Sequence, residues 1–153
     1  MKKNFVIYGM LIALCVVLSF IKIPAASQTV SLDSTPAFFA AMHISSFGGG
    51  IVGFFAHLIS ASINGFPLGI PIHLIIAVMM FISVYIFGLV YNKFGIIPGI
   101  ITAVIMNGIV SIVPFIWIIN YQFFYLMIVP LTIASLINVI IAIIIEKSVK
   151  KII

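Results

Sequence analysis

What this chain lacks first is charge. Only 6% of its 153 residues are charged, arginine is absent, and Asp33 and Glu146 are its two acidic side chains. With 65% hydrophobic residues, against ~45–50% in soluble domains, a water-soluble globule is excluded. Two carboxylates are too few for metal-assisted or phosphoryl-transfer chemistry, and no basic cluster is present to neutralise phosphate. There is no glycine-rich phosphate loop and no sign of an ATPase. The net charge of +5 is no nucleic-acid signal, because the lysines mark the ends of apolar runs and no basic run is interleaved with aromatics. A single cysteine, Cys15, permits neither an internal disulfide nor a cysteine-based metal site. It reads as a small buried hydrophobe, since hydrocarbon disfavours the reactive thiolate. The three histidines, His43, His57 and His73, lack the i, i+4 spacing of a helical metal pair. Neither a metal nor a cofactor is expected.

What is present is long apolar sequence. A chain of 153 residues has room for about five or six spanning helices of ~20 residues, and for one domain covering 1–153. The expected fold is an all-α integral membrane protein, a six-helix bundle with short or broken second and third helices. The first helix reads as Asn4–Ile21, stopped by Lys22 and Pro24. Lys2 and Lys3 before it and Ala25-Ala26-Ser27 after it look like a signal peptide. The run Phe5–Ile21 exceeds the ~7–15 apolar residues of such segments, however, and reads as a retained helix.

Pro24–Thr35 is the most polar segment, and its Thr29-Val30-Ser31-Leu32 alternation predicts a short extended piece. Thr35-Pro36 has the form of an N-cap followed by proline. The second helix, Pro36–Ser46, is too short to cross ~30 Å of hydrocarbon. Gly48-Gly49-Gly50 is expected to break it from a third, Ile51–Ile63, giving either two short tilted helices or a re-entrant pair. After an Asn64–Gly69 turn come helices over Pro71–Tyr91, Gly99–Trp117 and Phe123–Ile145. Six helices put both termini on one side, with Lys2, Lys3, Lys93, Lys147, Lys150 and Lys151; Lys22 lies opposite. The positive-inside rule makes that side cytoplasmic. No internal repeat is visible, which disfavours an inverted-repeat transporter.

Asp33, His43, His57, Asn64 and His73 crowd into positions 33 to 73. An ionisable side chain in hydrocarbon costs ~2.5–3.5 kcal/mol on insertion scales, so such groups persist where they face protein, water or a ligand. His57, Ser60 and Asn64 share one helical face. His73 lies in the first turn of the next helix, and Asp33 precedes the second. Asp33, Ser34, His57, Asn64, His73 and Asn107, with the aromatic rings of Phe38, Phe66, Trp117 and Tyr121, form the candidate substrate-binding set, apolar walls with a few convergent polar groups.

Each has a second reading. Asp33 caps a helix, His57 and Asn64 hydrogen-bond between helices, and His73 contacts loop backbone. Trp117 and Tyr121 form an interfacial belt, while Asn107 and Asn138 are either packing contacts or pocket lining. His43, away from the others, reads as structural. Ser60 lacks the glycine turn of a nucleophile elbow, so binding rather than bond-making is expected. Gly9 and Ala13 make a small-xxx-small face, suited to internal packing or to another membrane subunit.

Taken together, these features resemble the substrate-binding S components of energy-coupling factor (ECF) importers. The resemblance rests on both termini inside, a long polar loop after helix one, and Gly9 and Ala13 where the family typically has Ala-x-x-x-Ala. The stretch Leu32-Asp33-Ser34-Thr35-Pro36-Ala37-Phe38-Phe39-Ala40-Ala41, with Gly53, His57 and the Gly65–His73 segment, is similar to the branch assigned to α-ribazole, the nucleoside precursor of cobamides. Lys2 stands where nickel and cobalt members carry a histidine, which argues against metal import.

The resemblance implies a non-enzymatic subunit of the bacterial cell membrane that captures a vitamin or vitamin precursor on the outer side. It implies docking through Gly9 and Ala13 to a transmembrane coupling subunit that carries two ATPase subunits, with release after reorientation in that complex. A neutral aromatic nucleoside would stack on Phe or Trp rings, while Asp33 and Asn64 take ribose or base hydrogen bonds. The alternatives are an S component for another small heterocyclic vitamin (thiamin precursor, pyridoxine or queuosine-type base), a small proton-coupled carrier using His57 and His73, and a structural membrane subunit.

Overall fold

Apolar runs punctuated by Lys, Pro, Gly and Asn fold as helices whose ends fall at those residues. The structure, a computed structural model, describes residues 2–25 and 28–151. Ala26 and Ser27, in the small-residue stretch after the first helix, lie outside the described residues. The order is α1 (Lys2–Leu18), β1 (Lys22–Ala25), β2 (Gln28–Ser31), α2 (Thr35–His43), α3 (Ser46–Ile63), α4 (Ile70–Phe94), α5 (Ile96–Ile118) and α6 (Tyr121–Lys150). Helices α3 to α6 are each long and apolar enough to cross a membrane; the apolar part of α1, Phe5–Leu18, is shorter. The chain is an all-α membrane bundle of six helices carrying one small hairpin.

The expected extended piece is one half of that hairpin. β2 pairs antiparallel with β1, Lys22 opposite Ser31 and Ala25 opposite Gln28, and the hairpin packs on α6. Thr35 does not act as the cap of α2. Ser34 takes that position without a side-chain bond, because the Thr35 hydroxyl is drawn off to Asn138 Oδ1 at 2.7 Å.

The three consecutive glycines do not break a helix, contrary to the sequence expectation. The break falls at Ile44–Ser45, where Ser45 caps α3 by accepting from Gly48 N–H at 3.0 Å. Gly48, Gly49 and Gly50 lie inside α3 because other elements press on them. A methyl group on Gly48 would overlap the Tyr8 ring, and one on Gly49 would overlap the Ala41 backbone. The glycines let α3 touch α2 almost backbone to backbone and seat the Tyr8 ring of α1, the close contact that membrane helices use where hydrophobic drive is absent.

This leaves α2 alone as the short element. Its nine residues rise about 14 Å at 1.5 Å per residue, roughly half of the hydrocarbon thickness. It stands inside the bundle, packed by α1, α3, α4 and α6. Ala37, Phe38, Ala40 and Ala41 have no exposure, and the Phe38 ring meets Phe87 of α4 edge-on at 4.9 Å between centroids.

Where α2 gives way to α3, the polar groups pair among themselves. Tyr8 OH lies 3.2 Å from Ser45 Oγ, and Asn92 Nδ2 donates to Ala41 O at 3.3 Å and to Ser46 Oγ at 3.4 Å. Beside them Lys150 Nζ reaches the buried Glu146 carboxylate at 2.6 Å, whose other oxygen accepts from Tyr91 OH at 3.5 Å. The early part of α1, the α2–α3 junction and the ends of α4 and α6 therefore share one end of the bundle.

Candidate functional site

Above the N-terminus of α2 the helices part around a cavity of about 210 Å³. Ser31, Asp33 and Ser34 reach it from the β2–α2 link, and Gly53, Ala56 and His57 from α3. Ile76 and Met80 of α4 and Leu131 and Ala134 of α6 supply apolar wall, while Asn107 and Ser111 come from α5.

The link is held by α6. Asn138, 1% exposed, donates to Ser31 O and to its own-helix Ala134 O, both at 2.9 Å, and accepts from Thr35. Of its two readings in the sequence, the contacts give the packing one, since Asn138 braces the cavity wall without lining it. Asn107 reaches the cavity through a local change of helix type. Residues Val104–Ile109 wind as a π-helix and Val110–Ile112 as a 3₁₀ turn, the kind of irregularity that recurs at functional positions. Gly108 permits it by lying against the Thr132 backbone, where a methyl group would collide. Ser111 Oγ is tied to Asn107 O at 2.6 Å, and Ser135 Oγ of α6 donates to Ala103 O at 2.8 Å.

Asp33 is the one ionisable acid at the cavity. Burial pushes its carboxyl above the usual carboxylate range, opposed by the hydroxyls of Ser31 and Ser34 and by the charge of Lys22. Ser34 Oγ donates to Asp33 Oδ1 at 3.1 Å. Across the cavity, His57 Nε2 lies 3.2 Å from His73 Nδ1. His73 itself does not line the space. Its ring is covered edge-on by Phe66 at 5.7 Å, and its Nε2 accepts from the Leu68 N–H at 3.5 Å. That loop contact is part of what the sequence offered as its second reading.

Of the sequence-selected set, Asp33, Ser34, His57 and Asn107 come together at one cavity, with His73 directly behind His57. The others go elsewhere, for identifiable reasons. Phe38 is spent on the α2–α4 contact. Asn64 sits at the C-terminus of α3 and turns its amide back to Ser60 O at 2.7 Å, satisfying a carbonyl that the helix end would leave free. Phe66, at φ 49°, roofs His73. Trp117 and Tyr121 are 75% and 63% exposed on the bundle surface, the place of an interfacial belt. His43 stacks on Phe39 at 5.1 Å, away from the cavity. Ser31, Ser111 and Ala56 also line the cavity, beyond what the sequence reading reaches. Asn107 and Ser111 at i, i+4 on one helix face were the available signal. Among the described residues no cluster of three metal-ligating side chains occurs.

A family model described as the substrate-specific component of the ECF transporter matches residues 3–149. The chain belongs to that family. No curated protein and no solved structure matches it. As an ECF substrate-specific component it is a multi-pass membrane subunit of an importer. Its role there is to bind substrate, and ATP hydrolysis falls to the partner subunits with which the family associates. On this S component, Gly9 and Ala13 lie exposed along α1, and a methyl group on Gly9 would meet nothing within 4 Å.

Proposed function

We propose that this S component captures a vitamin or vitamin precursor in the cavity between the β2–α2 link and helices α3 to α6, with α-ribazole as the lead cargo. One observation carries the reading: Asp33, His57 and Asn107, from three separate elements, face one space walled by Ile76, Met80 and Leu131. That is the constitution of a small-molecule site. The α-ribazole assignment is supported by the Leu32–Ala41 stretch, Gly53 and His57, four of whose residues (Asp33, Ser34, Gly53, His57) contribute to the lining. A volume of 210 Å³ is below the ~300–1,000 Å³ of sites for drug-sized ligands. A single heterocycle is the easier guest, and a nucleoside requires the hairpin side of the cavity to give.

The same reading puts both termini in the cytoplasm of a bacterium, by the lysine distribution, and sets the unpartnered Gly9–Ala13 face of α1 against the transmembrane coupling subunit, which carries two ATPases. The deciding experiment is equilibrium binding to the purified chain of α-ribazole, a thiamin precursor, pyridoxine and a queuosine-type base. Stoichiometric binding of one of them, lost in Asp33→Ala with the fold intact, supports the site; unchanged affinity in Asp33→Ala and His57→Ala refutes it. The contact between His57 and His73 keeps a proton-coupled carrier as the second reading. Uptake that survives loss of the ATPases but collapses with the proton gradient would establish it instead.

A further inference from the structure

His57 and His73 form a directional pair, and the direction follows from the backbone. An amide N–H can only donate, so the Leu68 N–H, 3.5 Å from His73 Nε2, requires a lone pair on that nitrogen. A neutral His73 then carries its proton on Nδ1. Nδ1 faces His57 Nε2 at 3.2 Å, so His73 donates and His57 Nε2 accepts. A neutral His57 must then be protonated on Nδ1. That nitrogen has no partner among the described residues, and it is not sealed off as a buried unsatisfied atom. The loop is built to keep the first donor in place. Phe66 and Gly69 both take positive φ, 49° and 83°, Gly69 N–H closes back on Phe66 O at 2.7 Å, and the Phe66 ring covers His73.

We infer that the Leu68–His73–His57 chain fixes His57 as an Nδ1–H donor for the cavity, so that the cargo presents an acceptor to α3, an sp² ring nitrogen or a carbonyl oxygen, and a donor to Asp33. His73 is a positioning residue that touches no cargo. The inference rests on the binding reading for the cargo's chemistry, but the tautomer itself is a property of the empty protein. It accounts for a second histidine outside the cavity wall, since a lone imidazole in a binding site is free to exchange tautomers.

Long-range ¹H–¹⁵N spectra of histidine-labelled protein in detergent, with His43→Gln to leave two rings, read the tautomers directly. The expected spectrum shows both His57 and His73 as neutral Nδ1–H forms. In His73→Phe, which keeps a ring under Phe66, His57 loses its donor and its signal shifts toward the Nε2–H form. His57 as Nε2–H in the unsubstituted protein overturns the inference, and so does an unchanged His57 signal in His73→Phe. If that variant does not fold, the unsubstituted spectrum alone decides. For the cargo, a benzimidazole nucleoside is compared with its ring-N-methylated form, in which the acceptor lone pair is blocked. At least tenfold weaker binding of the methylated form is expected, and equal binding overturns the acceptor assignment. If neither nucleoside binds at all, the α-ribazole reading fails while the tautomer result stands on its own.

Discussion

The two ends of the bundle handle their polar groups in opposite ways. At the end where α2 gives way to α3, Tyr8 meets Ser45, Asn92 meets Ala41 and Ser46, and Glu146 meets Lys150 and Tyr91. These groups satisfy one another, and the helices between them close on alanine and glycine. At the cavity, the Asp33 carboxylate, the His57 ring and the Asn107 amide keep hydrogen-bonding capacity that the described residues do not use. Buried polar groups in proteins are normally paired, and on the binding reading proposed above the capacity left open at the cavity is what a cargo would take up.

The comparison breaks most severely at the closed end. Gly49→Val pushes a branched side chain into the Ala41 backbone and is expected to cost about 3 kcal/mol or more by overpacking, read as a lower midpoint of thermal unfolding in detergent. Asp33→Asn should separate the two ends. Cargo affinity is expected to fall on the order of 100-fold, since a hydrogen bond to a charged group is worth ~1.5–3 kcal/mol, while stability is unchanged or improved. The sign follows from the raised carboxyl. The folded protein holds its Asp33 proton to higher pH than the unfolded chain does, so this residue's contribution to stability falls as pH rises from the ordinary carboxylate value through the folded one. That slope should vanish in Asp33→Asn; its persistence would show that burial does not act on Asp33.

Asn138→Leu, which removes the brace under the Ser31–Thr35 link, is expected to lower affinity about tenfold and stability by ~1–2 kcal/mol. A titration showing full affinity would mean that the link holds its shape unaided. Trp117→Phe and Tyr121→Phe, both on the bundle surface, should change affinity less than about twofold, because each keeps an aromatic side chain and both sites are far from full burial. A larger loss would return the aromatic wall to the site.

The sequence was most legible where burial in lipid leaves one solution. Six helices and the meeting of Asp33, Ser34, His57 and Asn107 follow from apolar length and the cost of stray polarity, whereas Trp117 and Tyr121, chosen for the aromatic wall, lie exposed on the bundle surface. It was misleading at Gly48–Gly50, because glycine that ends a helix in water also lets helices touch in a membrane, and only the partners Tyr8 and Ala41 tell the two apart. It was silent on the π turn at Asn107, where Gly108 lies against Thr132, and it offered packing for Asn138 without its partners Ser31 and Thr35, which are distant along the chain. Asn64 shared a helical face with His57 but sat at the helix end, where the demand of a free carbonyl outweighed any pull toward the cavity.

One consequence of the half-length α2 reaches beyond the site. The helix is a stopper wedged among four neighbours, tied to α6 at its top and to α4 at its foot. On the binding reading proposed above, cargo held over this plug is expected to leave by the mouth through which it entered, with release following reorientation of the subunit in its complex.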